Sequence, residues 1–245
     1  MRKFLLKIQY NGKNYGGWQY NDGVKTVQGE VEKALSSLFG VPVSAEGSSR
    51  TDAGVSAIEY PLCFCADTKL PVERVPYKLN RFLPNDIQAF YAEEVPLSFN
   101  LRKQIVSKTY RYKFYSSPFL FPVLGKDALR VKEPLDLSAM RSALDCLIGK
   151  HDLSAFTSKG GDGNSNIKTI YSASLTEENG IYSLYITASG FPYNGVRIIA
   201  GTLIEVGKKA NPSLLSEVLL SKKRENAGAT LPPKALTLIK TEIKY

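Results

Sequence analysis

The sequence predicts an α+β fold built from two units, and three observations carry that reading. The first half runs strand, helix, strand, strand, helix, strand, the ferredoxin-like split βαβ order of an antiparallel sheet with helices on one face. After a polar and basic run at residues 100–105 the second half repeats a similar alternation of strands and amphipathic helices. Apolar residues make up 43% of the 245, enough to bury a sizeable core and against global disorder.

In chain order, Phe4, Leu6, Ile8 and Tyr10 alternate along a strand over 1–10, which Asn11-Gly12 closes as a turn pair. Tyr15-Gly16-Gly17-Trp18-Gln19 follows as a loop whose glycines permit close backbone approach. Trp18 can stack on a base, but a large aromatic is more often a core plug, and we expect the plug. Thr26 caps a helix in which Val27, Val31, Ala34, Leu35 and Leu38 recur at helical spacing, with Glu30 in its first turn and Gly40 and Pro42 beyond its end. Residues 41–46 alternate toward a strand, and Ile58, Tyr60, Leu62 and Phe64 place one face of the next strand against the core. A helix over 72–82 and a strand over 87–95 complete the unit, leaving one sheet face free for a partner.

The polar turn over 48–57 holds Arg50 and Asp52 two residues apart, so a cation and a carboxylate face one space, with Gly47 and Gly54 expected at positive φ. The same spacing also fits a surface ion pair in an ordinary hairpin loop. In the run over 107–115, Tyr110, Tyr112 and Phe114 share one face, with Lys108, Thr109, Arg111, Lys113 and Tyr115 along the strand beside them. That pattern fits an exposed strip for stacking bases and pairing phosphates, or a core strand with a snorkelling rim. Further on, Asp136 caps a helix with Leu137, Met140, Leu144, Leu147 and Ile148 on one stripe, ending at Gly149. His151 is read as a hydrogen-bonded structural residue rather than a general base, since nothing completes a triad around it. Residues 158–165 are rich in glycine and read as a mobile loop that contacts RNA. Strands over 170–175 and 181–188 lead through Gly190-Phe191-Pro192 into a helix whose buried stripe is Val196, Ile199, Ala200, Leu203 and Ile204. Arg197 lies beside that stripe, either paired to a carboxylate or exposed as a rim charge.

Lysine and arginine number 32 against 23 acidic residues, a net +9 that favours a polyanionic partner, nucleic acid first. Cys63, Cys65 and Cys146 form no C-x-x-C pair and His151 is the single histidine, so no metal site and no cofactor are expected. Residues 1–10 read as a strand rather than a signal segment, and no apolar run is long enough to span a membrane. A reducing, cytoplasmic location is the expectation.

Arg50-Thr51-Asp52-Ala53-Gly54-Val55 closely resembles the signature G-R-T-D-A-G-V-H-A of the tRNA pseudouridine synthase A family. Other segments resemble that family in the same order. They are Tyr10-Asn11-Gly12 with Gly17-Trp18-Gln19, Asn80 with Leu83-Pro84-Asn85-Asp86-Ile87, the Tyr110 strand, Gly149-Lys150-His151-Asp152, and Gly190-Phe191 through Val196-Arg197 to Val206-Gly207. Ser49, Ser56, Asn194-Gly195 and Ala235 depart from its pattern.

The resemblance implies two ferredoxin-like-derived domains, 1–105 and 106–245, whose antiparallel and mixed sheets join into one extended sheet, the pseudouridine synthase fold. It implies Asp52 as catalytic nucleophile, Arg50 as the residue that displaces the base, Tyr110 as the stacking residue and Arg197 as the partner of Asp52. A homodimer gripping tRNA, and isomerisation of uridine to pseudouridine in the anticodon stem-loop at positions 38–40 without a cofactor, follow from the same likeness. A non-catalytic tRNA-binding or tRNA-folding paralogue on this scaffold is the alternative, and an aspartyl-nucleophile hydrolase a weaker third.

Overall fold

A computed structural model describes residues 1–123, 125–160 and 165–245. The loop expected over 158–165 therefore falls, at 161–164, outside the described residues. The first elements are β1 (Arg2–Tyr10), α1 (Val27–Phe39), β2 (Ala45–Gly47), β3 (Ser56–Ala66), α2 (Val75–Leu79), β4 (Ile87–Val95) and α3 (Leu101–Gln104). Then come β5 (Ile105–Ser116), β6 (Leu129–Val131), α4 (Leu137–Ala143), β7 (Gly149–Asp152), β8 (Ile167–Glu178), β9 (Ile181–Ala188), α5 (Gly195–Lys209), α6 (Leu214–Ser221) and β10 (Leu236–Ile243). The chain divides into two compact units, Met1–Val106 with Thr237–Tyr245, and Ser107–Leu236. The C-terminal strand thus returns to the first unit, whereas the sequence reading carried the second domain through to Tyr245.

In the first unit β1 lies between β4 and β3, antiparallel to both, and β2 lies antiparallel on the other side of β3. This is the split βαβ arrangement of an α+β fold. β10 joins the same side of β3 as a parallel neighbour, at Ser56 and Ala57. Thr26 caps α1 by accepting from the Gly29 N–H, and Val27, Val31, Ala34 and Leu35 face the core. The helix expected over 72–82 is shorter, a 3₁₀ turn followed by five α-helical residues. Asn80 ends it because its amide bonds both the N–H and the C=O of Ala89 at 2.8 Å, tying the chain to β4. Nor is the second sheet face wholly free: Leu5, Cys63, Val95, Phe99 and Leu101 form a buried cluster with Ile243 packed against it. That is why β3 is buried on both faces through 60–64 instead of alternating.

In the second unit the sheet order is β5, β9, β8, β7, antiparallel throughout, with β6 added parallel to β5. Asp136 caps α4 through the Ala139 N–H, and the stripe continues in a 3₁₀ turn over Leu144–Leu147. α5 is the central helix of this unit, with Val196, Ile198, Ile199, Leu203 and Val206 buried along it. Among the described residues no helix is long and apolar enough to cross a membrane.

Candidate active site

Residues 51–56 form a tight loop that the chain before α1 cradles with main-chain atoms. Asp52 C=O accepts from the Val55 N–H at 3.2 Å, closing a turn whose third residue, Gly54, has φ +80°, a value that favours glycine there. Trp18 N–H donates to Thr51 C=O at 3.1 Å, Gly54 N–H to Tyr15 C=O at 3.2 Å, and Gly12 N–H to the Ser56 hydroxyl at 3.1 Å. The approach is close enough to exclude side chains: a Cβ on Gly12 would lie 1.9 Å from Val55 O, and one on Gly17 would lie 2.6 Å from Thr51 O. Gly47, expected at positive φ, instead keeps ordinary strand backbone and is glycine for space, since a Cβ there would lie 2.2 Å from the Tyr60 hydroxyl oxygen.

An aromatic floor supports this loop. Trp18 is 3% exposed, the core plug expected, with its ring 4.3 Å from that of Tyr60. The hydroxyls of Tyr10 and Thr51 share a 2.8 Å hydrogen bond, and Tyr60 donates to the Ser49 carbonyl. Tyr15 donates to Asp86, and the Asp86 C=O takes the Asn11 N–H at 2.9 Å, so the cradle is tied to the chain entering β4. Burial, then Asp86, push the Tyr15 hydroxyl far above its ordinary range, so it stays protonated. On this scaffold Arg50 is exposed and Asp52 is half-buried.

Tyr10, Gly12, Tyr15, Thr51 and Asp86 received no role from the sequence. The signal was present, because the opening run and Asp86 stand in segments that resemble the family. Nothing in the one-dimensional pattern says that a segment forty residues upstream packs on the Asp52 turn.

In the second unit, Tyr110 lies on β5 opposite Ile186 and is 8% exposed, with the Phe191 ring edge-on at 5.4 Å. The open aromatic strip is not found. Tyr112 and Phe114 are fully buried, and the Tyr112 hydroxyl donates to Pro232 C=O at 2.9 Å, so these positions form a core strand. Its rim is partly paired, Lys113 to Asp127 at 2.9 Å. Burial pushes the Tyr112 hydroxyl up while the nearby Arg197 charge opposes it.

Arg197 is half-buried rather than an exposed rim charge. Its Nε donates to Leu231 C=O at 2.6 Å and its Nη1 to Asn194 Oδ1 at 2.6 Å. His151 is hydrogen-bonded, as expected, with Nε2 and Ile148 C=O 3.1 Å apart. The first unit therefore gathers Arg50 and Asp52 on one cradled loop, and the second gathers Tyr110, Phe191, Asn194 and Arg197 around the start of α5.

Comparison with known proteins identifies the family. The family model described as tRNA pseudouridine synthase matches residues 7–102 and 143–244. The tRNA pseudouridine synthase A of Caldicellulosiruptor saccharolyticus is 42% identical over 240 residues, covering 98% of this chain and 98% of that one. That of Acetivibrio thermocellus is 39% identical over 100% of both chains, and tRNA pseudouridine synthase A 2 of Clostridium tetani is 40% identical over 97% of both. The chain belongs to the tRNA pseudouridine synthase family, isomerases that convert uridine to pseudouridine in tRNA.

Proposed function

We propose that this isomerase acts on uridines of the anticodon stem-loop, at positions 38–40 of tRNA, with Asp52 as its nucleophile. The observation that supports this reading is the cradled turn over 51–56, which holds one half-buried carboxylate on main-chain bonds beside the exposed Arg50. A target uridine must leave the base stack before its glycosidic bond is within reach, and each candidate residue has a part in that event. Arg50 fills the space the base leaves, and Tyr110 packs against the extruded uracil. Arg197 offers a cation to the Asp52 carboxylate during attack. The Asp52 carboxylate adds transiently to the substrate as the bond between C1′ and N1 breaks, the uracil turns while enclosed, and C5 joins C1′ with release of the carboxylate and loss of the C5 proton. One proton leaves C5 and one is taken up by N1, which carries none in uridine, so the composition is unchanged and the isomerisation needs no cofactor.

On this reading the domain before residue 106 brings the nucleophile loop and the following one brings Tyr110 and Arg197. The protein acts as a homodimer that grips one tRNA across both copies, in the cytoplasm. The net +9 charge suits such a polyanion. Pseudouridine mapping on tRNA treated with wild type or Asp52→Asn tests the assignment, with tRNA binding measured in parallel. Wild type should modify anticodon stem-loop uridines, and the variant should bind tRNA without turnover. Full turnover by Asp52→Asn would remove the carboxylate from the chemistry, and light scattering of the enzyme with tRNA tests the dimer.

A further inference from the structure

Asn194 opens α5 in a left-handed backbone conformation, φ +61°, which asparagine tolerates better than most residues. It stands where an asparagine side chain usually accepts from a first-turn N–H, yet it makes no such capping bond. Its amide is committed elsewhere. Oδ1 accepts from Nη1 of Arg197 at 2.6 Å, and Nδ2 donates to the Ser158 hydroxyl at 3.0 Å. A guanidinium has donors only, so Arg197 fixes which end of the amide faces it, and the hydroxyl takes the other. Ser158 is itself anchored, its N–H donating to Tyr193 C=O at 3.1 Å. With Leu231 C=O on Nε, two acceptors bind neighbouring nitrogens of one rigid planar fork.

We infer that Asn194 is a positioning residue for the isomerisation, acting through Arg197: with the Leu231 carbonyl it sets the plane and reach of the guanidinium, and Ser158 holds the amide that does so. This rests on the reading of Arg197 as a site residue. A long cation otherwise spreads over many rotamers, and small misplacement of a catalytic partner is expensive in rate.

The decisive variant is Asn194→Gly. Glycine accepts the left-handed backbone at least as well, so a purely conformational role predicts an unchanged or slightly firmer protein with wild-type turnover. Positioning predicts that kcat for pseudouridine formation falls about tenfold while KM for tRNA and Tm hold. Ser158→Ala, which frees only the far end of the amide, should cost about threefold in kcat, within the range of one neutral hydrogen bond. In an Arg197→Lys background, which lacks the fork, Asn194→Gly should add little further loss, since both changes act on one device. A wild-type kcat in Asn194→Gly beside a crippled Arg197→Lys overturns the inference and leaves the Arg197 reading standing. Wild-type turnover in Arg197→Lys overturns that reading and the inference with it. A fall in kcat matched by falls in Tm and tRNA affinity makes Asn194 a structural residue and also overturns the inference.

Discussion

The turn that carries Asp52 is held mostly by main-chain atoms, with Trp18 N–H, Tyr15 C=O and the bare backbone of Gly12 and Gly17 pressed against it. The Arg197 guanidinium, by contrast, is held through a side-chain amide and a carbonyl of the chain passing at Leu231. The two modes tolerate sequence change differently. Main-chain bonds survive most side-chain replacements, so Ser49 and Ser56 can stand where the family pattern has glycine and histidine. Ser49 contributes its backbone to Tyr60, and Ser56 adds an acceptor for Gly12 N–H. At the start of α5 the departing residue, Asn194, is itself the support.

The largest expected effect tests the main-chain mode where it is tightest. Gly12→Ala would place a Cβ 1.9 Å from Val55 O, an atom of the backbone that cannot turn aside. We expect a loss of about 3 kcal/mol or more in urea unfolding, with turnover lost alongside. Gly195→Ala is the control in the other region. Its Cβ would lie 2.9 Å from Cδ of the Pro192 ring, and a shift of that ring should confine the cost to about 1 kcal/mol. Equal costs for the two would erase the distinction.

Next comes Thr51→Val, which preserves shape and leaves the Trp18 bond to the Thr51 carbonyl in place, but removes the hydroxyl bonded to Tyr10. The Tyr10 hydroxyl loses a buried partner, and stability should fall by about 1–2 kcal/mol in the same unfolding measurement. Activity should stay within about tenfold of wild type, since the main-chain anchors of the turn persist.

These experiments probe features of unequal legibility in the sequence. Helices and strands with clean periodicity were readable: α1 with its Thr26 cap, and β1 with Phe4, Leu6 and Ile8. The order of elements was enough for the α+β class. Burial on the second face of β3 was not readable, because Phe99 and Leu101, which cover Cys63, come from a segment that looks like a polar linker. The alternation of Tyr110, Tyr112 and Phe114 fits core and exposed strip equally, and only their burial in the folded chain decides for core. At the candidate site the pair Arg50 and Asp52 stood out through its motif. Its supports did not, because Gly12 N–H, Tyr15 C=O and Trp18 N–H act through their own main chain, to which side-chain identity gives no clue beyond the glycines.

A smaller effect is expected at Ser56→Ala, which takes the acceptor from Gly12 N–H and nothing else from the cradle. The cost should be near 1 kcal/mol, with kcat within about twofold. Because a hydroxyl and an amide do not titrate in the accessible range, that cost should be the same at pH 8 and pH 4.

The smallest effect separates the two modes by pH. Asp152 ends β7 and accepts from the Ser154 N–H at 3.1 Å and its hydroxyl at 2.6 Å, with Lys222 at 3.3 Å, fixing the turn that leads to Ser158. The Ser154 hydroxyl bond is the main cause that holds this carboxyl below its ordinary range, burial opposes it, and the Ser154 N–H and Lys222 assist. A carboxyl depressed by folding contributes stability that is present above its unfolded pKa, about 3.9, and is lost as pH falls through the lower folded value. Wild type should therefore melt above Asp152→Asn by a constant small margin, about 2 °C or less for a partly exposed group, from pH 8 to about pH 5. Below about pH 4 the margin should shrink and close, because the protonated carboxyl and the amide then differ little. A margin that stays constant into acid would assign the turn to neutral hydrogen bonds, and side-chain anchoring beside Arg197 would then be as indifferent to pH as the backbone cradle of Asp52.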